Sequence, residues 1–478
     1  MFILLSLAAF NVFYHLGNFP IYSWDEARHG VSAYEMIKNR NFIVNTYRGK
    51  ADYWNLKPPL SFWAIIAGYK IAGFNALGLR LFSAIFAMIT IILVGIFVYK
   101  HYGKVATIFS SLILSTCTQF LINHSSRTGD ADSLFVLLFT VAILSLLQWN
   151  ENYTWLYVSG LAFSLAFLTK SWHAGNIAVI MGLYLAITGK FRKLSFKNWL
   201  ILVMFMSLPI LIWAGFRYQY DGLEFFKKMI MYDLMQRSNS SIEGHMGGVS
   251  YYFDIVSQFF NYWMLVLFAA IVFILLNKDF SLKSILASKR INFLLGICLW
   301  ALIPFLLFTF AKTKVRWYIL PIYPPLSIMI GVLISKIFLK GNWIIRVSAM
   351  ILLLSVSLFY ESEIYTYLNH PTANLKQSLI NKVTNNQVTK GDSIFLYHLT
   401  GKTIWLQSEA LTAELDDDLR VNNGNFTDFL KSNRALLLVP KNSYSQKLMQ
   451  SNQLKIIANN KGGYLVEKSS MADKKGPA

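Results

Sequence analysis

Apolar segments long enough to cross a lipid bilayer follow one another from the N-terminus to about residue 360. A bilayer core of roughly 30 Å requires about 20 consecutive apolar residues in a helix. A soluble protein with one large core does not require many such long apolar segments one after another. The composition agrees, because 55% of the residues are hydrophobic and only 14% are charged. We therefore expect a mainly α-helical, polytopic transmembrane protein.

The transmembrane domain is expected to occupy residues 1–360 and to contain about eleven spans. The predicted spans are 2–17, 79–99, 105–122, 132–149, 153–169, 173–188, 198–215, 254–276, 292–311, 317–335 and 343–360. The first large loop, 18–78, contains an apolar segment at 60–74 that is short for a span and follows two prolines. We expect this segment to lie along the interface as a juxtamembrane helix; if it crosses, every later orientation inverts.

Lysine and arginine residues concentrate in alternate loops, which predicts the orientation by the positive-inside rule. The cations assigned to the inner side are Lys100, Lys104, Lys190, Arg192, Lys193, Lys197, Lys278, Lys283, Lys289, Arg290, Lys336, Lys340 and Arg346. The first loop, the turns near 123–131, 170–172 and 312–316, the loop 216–253 and everything after about residue 361 then lie outside.

The composition becomes polar after Tyr360, with strand-like runs at 393–397, 435–439 and 454–458 between helix-compatible stretches. This pattern predicts a small soluble α/β domain at 361–468. Residues 469–478 form a polar tail, either native or an expression remnant, that we exclude from the fold.

Charge and cysteine content narrow the function. The formal net charge is +20, but the cations lie in short loops and form no basic arm or recognised module, so nucleic-acid binding is not expected. Both cysteines, Cys117 and Cys298, lie within apolar runs, which favours packing over a disulfide or a thiolate metal site.

Two groups of acids lie close to the predicted outer surface. Asp25 and Glu26 open a helix-compatible stretch that leads to Met36, where acids also stabilise a helix start without any catalytic role. Asp130 and Asp132 follow Arg127 where the chain re-enters the membrane. Ionised groups at that depth are costly unless paired or solvated, so they are candidates for function, with Arg127 as a structural partner.

Several lysine and arginine residues lie on the same predicted outer side, contrary to the positive-inside rule. Lys57 precedes two prolines that fix its backbone, and a phosphate-bearing lipid would suit such a fixed charge, although snorkelling to headgroups explains a single lysine equally well. The others are Lys170, Arg237, Lys312, Lys314 and Arg316. Binding a phosphate or diphosphate accounts for the group most simply, and headgroup contact accounts for some members.

The order of these motifs resembles that of bacterial membrane glycosyltransferases of the GT-C fold, namely the aminoarabinose transferase and protein O-mannosyltransferase group. Asp25-Glu26-Ala27-Arg28 with Glu35-Met36 resembles its first-loop motif, and Lys57-Pro58-Pro59 with Trp63 resembles its Lys-Pro box. Further matches along the chain are Asp132, Leu168-Thr169-Lys170, Gln236-Arg237, Ala311-Lys312-Thr313-Lys314 and Tyr318-Ile319-Leu320-Pro321. The resemblance covers residues 1 to about 335.

The resemblance implies an inverting transfer of a sugar from a polyprenyl-phosphate donor to an acceptor hydroxyl on the periplasmic side of a bacterial inner membrane. The acceptor is a glycolipid of the lipid A type, slightly favoured, or a protein serine or threonine; no nucleotide sugar is needed.

On this hypothesis Asp25 acts as general base, with Glu26 or Asp132 orienting it. The donor phosphate would be bound by Lys57, Arg237, Lys314, Tyr318 and Lys170. Further site candidates are Arg28, Arg127, Asp130, Lys312 and Arg316.

No cofactor is certain. Some relatives hold a divalent metal with a glutamate just before the Lys-Pro box, where this chain has Leu56, so metal binding stays open with His245 and His173 as weak ligand candidates.

Two other functions remain. A transporter or flippase for lipid-linked sugars predicts a polar path and broken helices in two matching halves, whereas ionisable groups are sparse within these spans. A non-enzymatic membrane scaffold leaves the outward acids and cations without a role.

Overall fold

The computed structural model describes residues 1–149, 152–242, 244–277, 291–383, 392–396, 406–417, 419–422, 425–432 and 435–468. Three sets of predictions lie outside these residues: the tail 469–478, the inner-side cations between 278 and 290, and Tyr397 at the end of a predicted strand.

Helices dominate the described residues up to 383. They are Phe2–Phe13, Asp25–Lys38, Leu60–Ala72, Ala76–Tyr102, Lys104–Ser115, Thr118–Ile122, Asp132–Gln148, Tyr153–Lys170, Gly175–Ile187, Phe196–Asp221, Glu224–Lys228, Arg237–Asn239, Tyr251–Leu276, Ile291–Phe310, Tyr323–Lys340, Trp343–Asn369 and Leu375–Val383. Short 3₁₀ helices run over Ser171–Ala174, Lys190–Lys193 and Arg316–Ile322, and a π-helix runs over Met229–Gln236.

Six described segments are long and apolar enough to cross a membrane. They are Ala76–Tyr102, Phe196–Asp221, Tyr251–Leu276, Ile291–Phe310, Arg316–Lys340 and Trp343–Asn369. The other five predicted spans are also helical but shorter or less apolar. The polytopic helical fold is confirmed, and the count of eleven spans stays a prediction.

The first loop folds into two helices joined by a small hairpin of β1 (Thr46–Tyr47) and β2 (Lys50–Ala51). The helix Asp25–Lys38 has acids in its first turn and a lysine in its last, the arrangement that the helix dipole favours. The helix Leu60–Ala72 has 13 residues, which corresponds to about 20 Å and is too short to cross a bilayer.

Small residues allow the transmembrane helices to pack closely. A Cβ atom added at Gly331 would lie 2.2 Å from the Ser110 hydroxyl oxygen, so glycine lets the helices Tyr323–Lys340 and Lys104–Ser115 touch. The helix Asp132–Gln148 is buried on nearly all sides. It forms the centre of the bundle, and its first residue, Asp132, lies at the edge of the site described below.

The predicted C-terminal domain contains a five-stranded mixed sheet. The strands are β3 (Ser393–Leu396), β4 (Arg420–Asn422), β5 (Ala435–Val439), β6 (Leu454–Asn460) and β7 (Gly463–Lys468), in the order β4-β3-β5-β7-β6. β3 pairs in parallel with β4 and β5, and the remaining pairs are antiparallel. The helices Gln407–Asp417, Phe426–Lys431 and Ser443–Ser451 accompany the sheet. The expected boundary at 360/361 falls inside the continuous helix Trp343–Asn369, whose last turns pack with the membrane domain.

The C-terminal domain packs directly on the first loop. Leu411 and Leu415 share one apolar core with Val31 and Phe62 of the loop helices. The side chain of Gln377 accepts a hydrogen bond from the backbone N–H of Ile21 at 3.0 Å and donates one to its carbonyl at 2.7 Å. The C-terminal domain and the first loop therefore form one contiguous structure.

Candidate active site

One cavity of about 690 Å³ receives side chains from segments that are far apart in sequence. The first loop contributes Asp25 and Lys57, and the turn before the helix Asp132–Gln148 contributes His124 and Asp130. Of the residues singled out in the sequence, those that line it are Asp25, Lys57, Asp130, Asp132, Lys170, His173, Arg237, His245, Arg316 and Tyr318. The topology expected from charge sorting had placed them all on one side of the membrane.

Three carboxylates surround the imidazole ring of His124. Its Nε2 atom lies 3.6 Å from an Asp25 oxygen, while Nδ1 lies 3.0 Å from Asp130 and 3.5 Å from Asp132. The ring stacks on Trp317 at a centroid distance of 3.6 Å and an interplanar angle of 1°. The acids of the first loop and of the later turn thus meet at a single side chain.

The charges in this cluster strongly shift the pKa values of His124 and Asp25. Burial would lower the pKa of His124, but the carboxylates of Asp130 and Asp132 outweigh burial and raise it to about 10. Burial alone would raise the pKa of Asp25, and the positive charges of Lys57 and His124 instead hold it well below its usual range. At neutral pH the cluster therefore contains an imidazolium and an ionised Asp25.

His29 contributes a neutral imidazole below Asp25. Burial and the charge of Lys57 lower the pKa of His29 to about 3. Its Nδ1 atom lies 2.7 Å from the carbonyl oxygen of Asp25, so this nitrogen carries the proton and donates. The ring therefore supports the backbone at Asp25 without adding charge.

Cations lie beside and opposite the acids. The Lys57 ammonium is 4.0 Å from Asp25 and donates to the Asn55 side chain at 3.2 Å. The Lys170 ammonium pairs with Asp132, and both side chains are 5% exposed. Lys170 therefore acts on the site through Asp132.

One part of the cavity wall is formed by Arg237, Tyr318 and Arg316. Arg237 donates to the Tyr318 hydroxyl at 3.0 Å and to Asp233 at 2.9 Å. This wall presents a guanidinium and a phenol held in a fixed relation, which suits a phosphate.

Two aromatic rings line the cavity together with Asp25. Trp24 and Trp54 lie with ring centroids 6.1 Å apart, and both line the cavity. Arg28, one of the predicted candidates, does not reach the cavity; it forms a bidentate pair with Asp52 at 2.6–2.7 Å and lies 4.3 Å from the Trp54 ring. Its role in this structure is to support Trp54.

The structure does not bring Glu26 to the cavity, which corrects its expected role beside Asp25. Its carboxylate is 1% exposed and pairs with Arg80 at 2.7 and 2.8 Å. It also accepts hydrogen bonds from the backbone N–H groups of Tyr22 and Gly129, each at 2.8 Å. All of its accepting capacity is used inside the fold.

Arg127 also lies outside the cavity. Its guanidinium donates to the carbonyl oxygens of Asn11, Val12 and Tyr14 at 2.8–3.2 Å, at the end of the first helix. Its place is structural, as the sequence allowed, although its partners are carbonyls instead of the neighbouring acids.

Lys314 is likewise withheld from the cavity, against expectation. Its ammonium donates to the carbonyl oxygens of Thr309 and of Ala311, the latter at 3.0 Å, at the C-terminal end of the helix Ile291–Phe310. These carbonyls lack helical partners, and a lysine satisfies them well. Lys312 is exposed and does not line the cavity either, so of the three late cations only Arg316 reaches it.

The residues present do not fit a divalent metal. Among the described residues, one group of three ligand atoms, from His124, Asp130 and Asp132, lies within 4.8 Å. A metal-bound imidazole must be deprotonated, whereas these carboxylates favour its protonated form, and the Lys170 ammonium already occupies Asp132. His173 and His245 line the cavity outside this group, and the buried Leu56 offers no ligand atom.

Sequence reasoning missed several residues of this site. His124, His29, Asp233 and Trp54 line the cavity although no motif marked them. The available signal for His124 was its place in a short outer turn, six residues before the first of two acids. Trp317 stands beside the predicted Arg316 and Tyr318, but its stacking partner depends on the fold.

Comparisons with known proteins find a matching family model and similar sequences. The family model described as dolichyl-phosphate-mannose-protein mannosyltransferase matches residues 56–213. An uncharacterized protein of Aquifex aeolicus is 26% identical over 76% of this chain and 80% of its own length. The undecaprenyl phosphate-alpha-4-amino-4-deoxy-L-arabinose arabinosyl transferase of Edwardsiella ictaluri is 24% identical over 73% of this chain, which spans 62% of that relative.

Solved structures share the fold over nearly the whole chain. ArnT from Cupriavidus metallidurans, in complex with undecaprenyl phosphate, has a TM-score of 0.74 at 15% identity and covers 97% of both chains. The oligosaccharyltransferase of Archaeoglobus fulgidus has a TM-score of 0.53 at 12% identity, over 94% of this chain and 68% of its own. The chain therefore shares the GT-C fold of multi-pass membrane glycosyltransferases, and it is similar in sequence to bacterial arabinosyl transferases and to protein mannosyltransferases.

Proposed function

We propose that this protein transfers a sugar from a polyprenyl-phosphate-linked donor to the hydroxyl group of an acceptor at the periplasmic side of a bacterial inner membrane. One observation carries the proposal: a single cavity is lined both by the ionised Asp25 and by Arg237, whose guanidinium donates to the Tyr318 hydroxyl. ArnT from Cupriavidus metallidurans, whose fold this chain shares, binds undecaprenyl phosphate.

The reaction is a single displacement at the anomeric carbon. The acceptor oxygen forms the new bond on the face opposite the lipid phosphate, and the bond from the anomeric carbon to the phosphate oxygen breaks, with inversion. The acceptor proton passes to a carboxylate, and the phosphate leaves with the electron pair. Each of these two charge changes requires a fixed partner of opposite sign.

We assign to Asp25 the role of the general base that receives the proton of the acceptor hydroxyl. About a fifth of its side chain is exposed to the cavity, whereas those of Asp130 and Asp132 are 1% and 5% exposed. Its low pKa keeps it ionised, so it accepts a hydrogen bond from the hydroxyl and takes the proton late, once attack has acidified the oxygen. Asp132 and Asp130 fix its surroundings through His124.

We assign stabilisation of the leaving phosphate to Lys57, Arg237 and Arg316. All three line the cavity, and the Lys57 ammonium lies 4.0 Å from the Asp25 carboxylate. Arg316 takes the place that the sequence had suggested for Lys314, whose ammonium is used inside the fold. In a poorly hydrated site such charges stabilise a developing phosphate more than they do in water.

A glycolipid of the lipid A type is the acceptor that we favour over a protein serine or threonine. The paired rings of Trp24 and Trp54 beside Asp25 offer flat apolar faces on which a sugar ring can stack. Relatives named as arabinosyl transferases act from undecaprenyl phosphate carriers, which agrees with a small lipid-linked donor sugar.

The experiment is a transfer assay with purified protein in detergent, a synthetic undecaprenyl-phosphate sugar and candidate acceptors, read by mass spectrometry. Asp25→Asn is expected to lower turnover by roughly 10²–10⁴-fold while thermal stabilisation by undecaprenyl phosphate persists. Asp254→Asn, at an exposed helix start, is the matched control. Near-normal turnover of Asp25→Asn would reject the assignment, and movement of the lipid across vesicles without sugar transfer would favour a flippase.

A further inference from the structure

His124 lies where the acids of two separate loops converge. On one edge of the ring Nε2 is directed to Asp25, and on the other edge Nδ1 is directed to Asp130 and Asp132. A neutral imidazole has one donor nitrogen, while an imidazolium has two. Carboxylates on both sides therefore match the protonated form.

We propose that His124 is a positioning residue that serves as a built-in cation, holding Asp25 in register with Asp130 and Asp132 so that the site works without a divalent metal. The inference rests on the proposed function for its catalytic consequence. Its structural part, the charge state of the ring, stands independently of it.

Charge balance supports this role. Three carboxylates meet here, and the two neighbouring ammonium groups are directed to different members, Lys57 to Asp25 and Lys170 to Asp132. Asp130 has no lysine or arginine partner among the described ion pairs, and its other contacts are the Thr128 hydroxyl and the N–H of Asp132. An imidazolium at His124 supplies the missing positive charge.

The stack on Trp317 fixes the orientation of the ring. The two ring planes are parallel within 1° at 3.6 Å. Stacking of this kind prevents the imidazole from tilting away from the acids, and an aromatic face stabilises an adjacent cation. Both nitrogens are thereby kept close to their carboxylates, at 3.0–3.6 Å.

A metal ion that joined the acids of the two loops would compete for the same space. It would have to lie between Asp25 and Asp130, where the His124 ring lies. The ring and the bound Lys170 ammonium together replace the function of such an ion, namely to draw the carboxylates together and offset their charge.

The first test reads the charge of the ring without any activity. The protein, labelled with ¹⁵N only in its eight histidines, is studied by NMR in detergent at pH 8, and the His124 signals are identified by their loss in His124→Gln. We expect two protonated nitrogens. A neutral or metal-bound ring would overturn the proposal, whether or not the transfer assay works.

The second test uses the transfer reaction once the wild-type protein turns over. We expect EDTA to leave the rate unchanged and His124→Gln to lower kcat by roughly 10- to 100-fold, the size expected for loss of one charged contact, with KM for the donor nearly unchanged. His124→Ala should recover activity with added imidazole below about pH 7, where imidazole is charged.

His370→Gln, at an exposed position, is the matched control. Loss of turnover in EDTA that Mn²⁺ or Zn²⁺ restores, or a His124→Gln variant with normal kcat, would contradict the proposal. If the wild-type protein transfers no sugar at all, the proposed function fails while the NMR result still decides the state of His124.

Discussion

Glu26 and Arg80 form a buried ion pair in which both carboxylate oxygens accept from the guanidinium, at 2.7 and 2.8 Å. One of these oxygens also accepts the N–H of Gly129 at 2.8 Å. Arg80 in turn donates to the carbonyl of Phe19 at 2.9 Å. The residue next to Asp25 thus joins the first loop to the turn that carries Asp130.

Two adjacent carboxylates should respond oppositely to the same change. Glu26→Gln leaves the buried Arg80 charge without its counter-ion, a loss that typically costs about 3–5 kcal/mol. We expect a clearly lower unfolding temperature in detergent for this variant. Asp25→Asn should unfold close to the wild-type temperature and lose transfer activity. Equal stability of the two variants would contradict this division of roles.

Gly129→Ala should displace the turn that carries Asp130 and so disturb the contacts of His124 with its carboxylates. A Cβ atom at this position would lie 2.4 Å from the Leu79 Cγ and 2.7 Å from the Leu79 carbonyl oxygen. The turn must shift to relieve this contact, so Asp130 moves relative to His124. We expect lower stability and lower kcat, measured by thermal unfolding and the transfer assay. Gly175→Ala, where no atom lies within 4 Å of the added Cβ, is the control.

The C-terminal domain should influence catalysis through one glutamine. Gln407 is fully buried and accepts a hydrogen bond from the backbone N–H of Trp24 at 2.6 Å. Trp24 has a φ of 69°, a strained value for a residue other than glycine, and it directly precedes Asp25. We expect Gln407→Ala to lower kcat by roughly 5- to 10-fold, the effect of one lost hydrogen bond, with a folded protein.

Gln450→Ala, at an exposed position of the same domain, serves as the comparison for that experiment. If both variants turn over like the wild type, the contact between the domain and Trp24 has no catalytic consequence.

The stability of the folded protein should depend on pH through His124. Its pKa is raised to about 10 in the fold, against about 6.5 in an unfolded chain, by Asp130 and Asp132 acting against burial. Its contribution is therefore complete below about pH 6.5 and is lost as the pH rises through 10. Other titratable groups lie close to this ring. Asp25 and Asp132 face the ring itself, and the ammonium groups of Lys57 and Lys170 face these two carboxylates.

Unfolding temperatures measured from pH 6 to pH 10.5 should fall more steeply for the wild-type protein than for His124→Gln, with Lys57 and Lys170 present in both. Parallel curves would show that the ring is not held as a cation.

The sequence was sufficient for the fold class because apolar length and loop charge are local properties. The same reasoning placed Asp25, Lys57 and Asp132 on one side of the membrane, and the structure brings them into one cavity. Span limits were less predictable: residues 105–122 read as one apolar run, whereas the chain forms two helices that end at Ser115 and Ile122.

Individual side-chain roles depended on contacts that sequence spacing cannot reveal. Glu26 and Lys314 carry the residue types that catalysis and phosphate binding need, and each is used by a buried partner from another part of the fold. Asp52 captures Arg28 in the same way. His124 gained its role from Trp317, which lies almost two hundred residues away in the chain.

Tyr22 and Tyr367 share a hydrogen bond of 2.6 Å between their hydroxyls, and both line the cavity. Tyr22 belongs to the first loop, and Tyr367 belongs to Trp343–Asn369, the last of the described helices that are long and apolar enough to cross a membrane. The cavity wall is consequently closed only after the final helix has been inserted. A partly synthesised chain, with Asp25 and Lys57 already outside the membrane, lacks that wall, and assembly of the site is coupled to completion of the whole transmembrane domain.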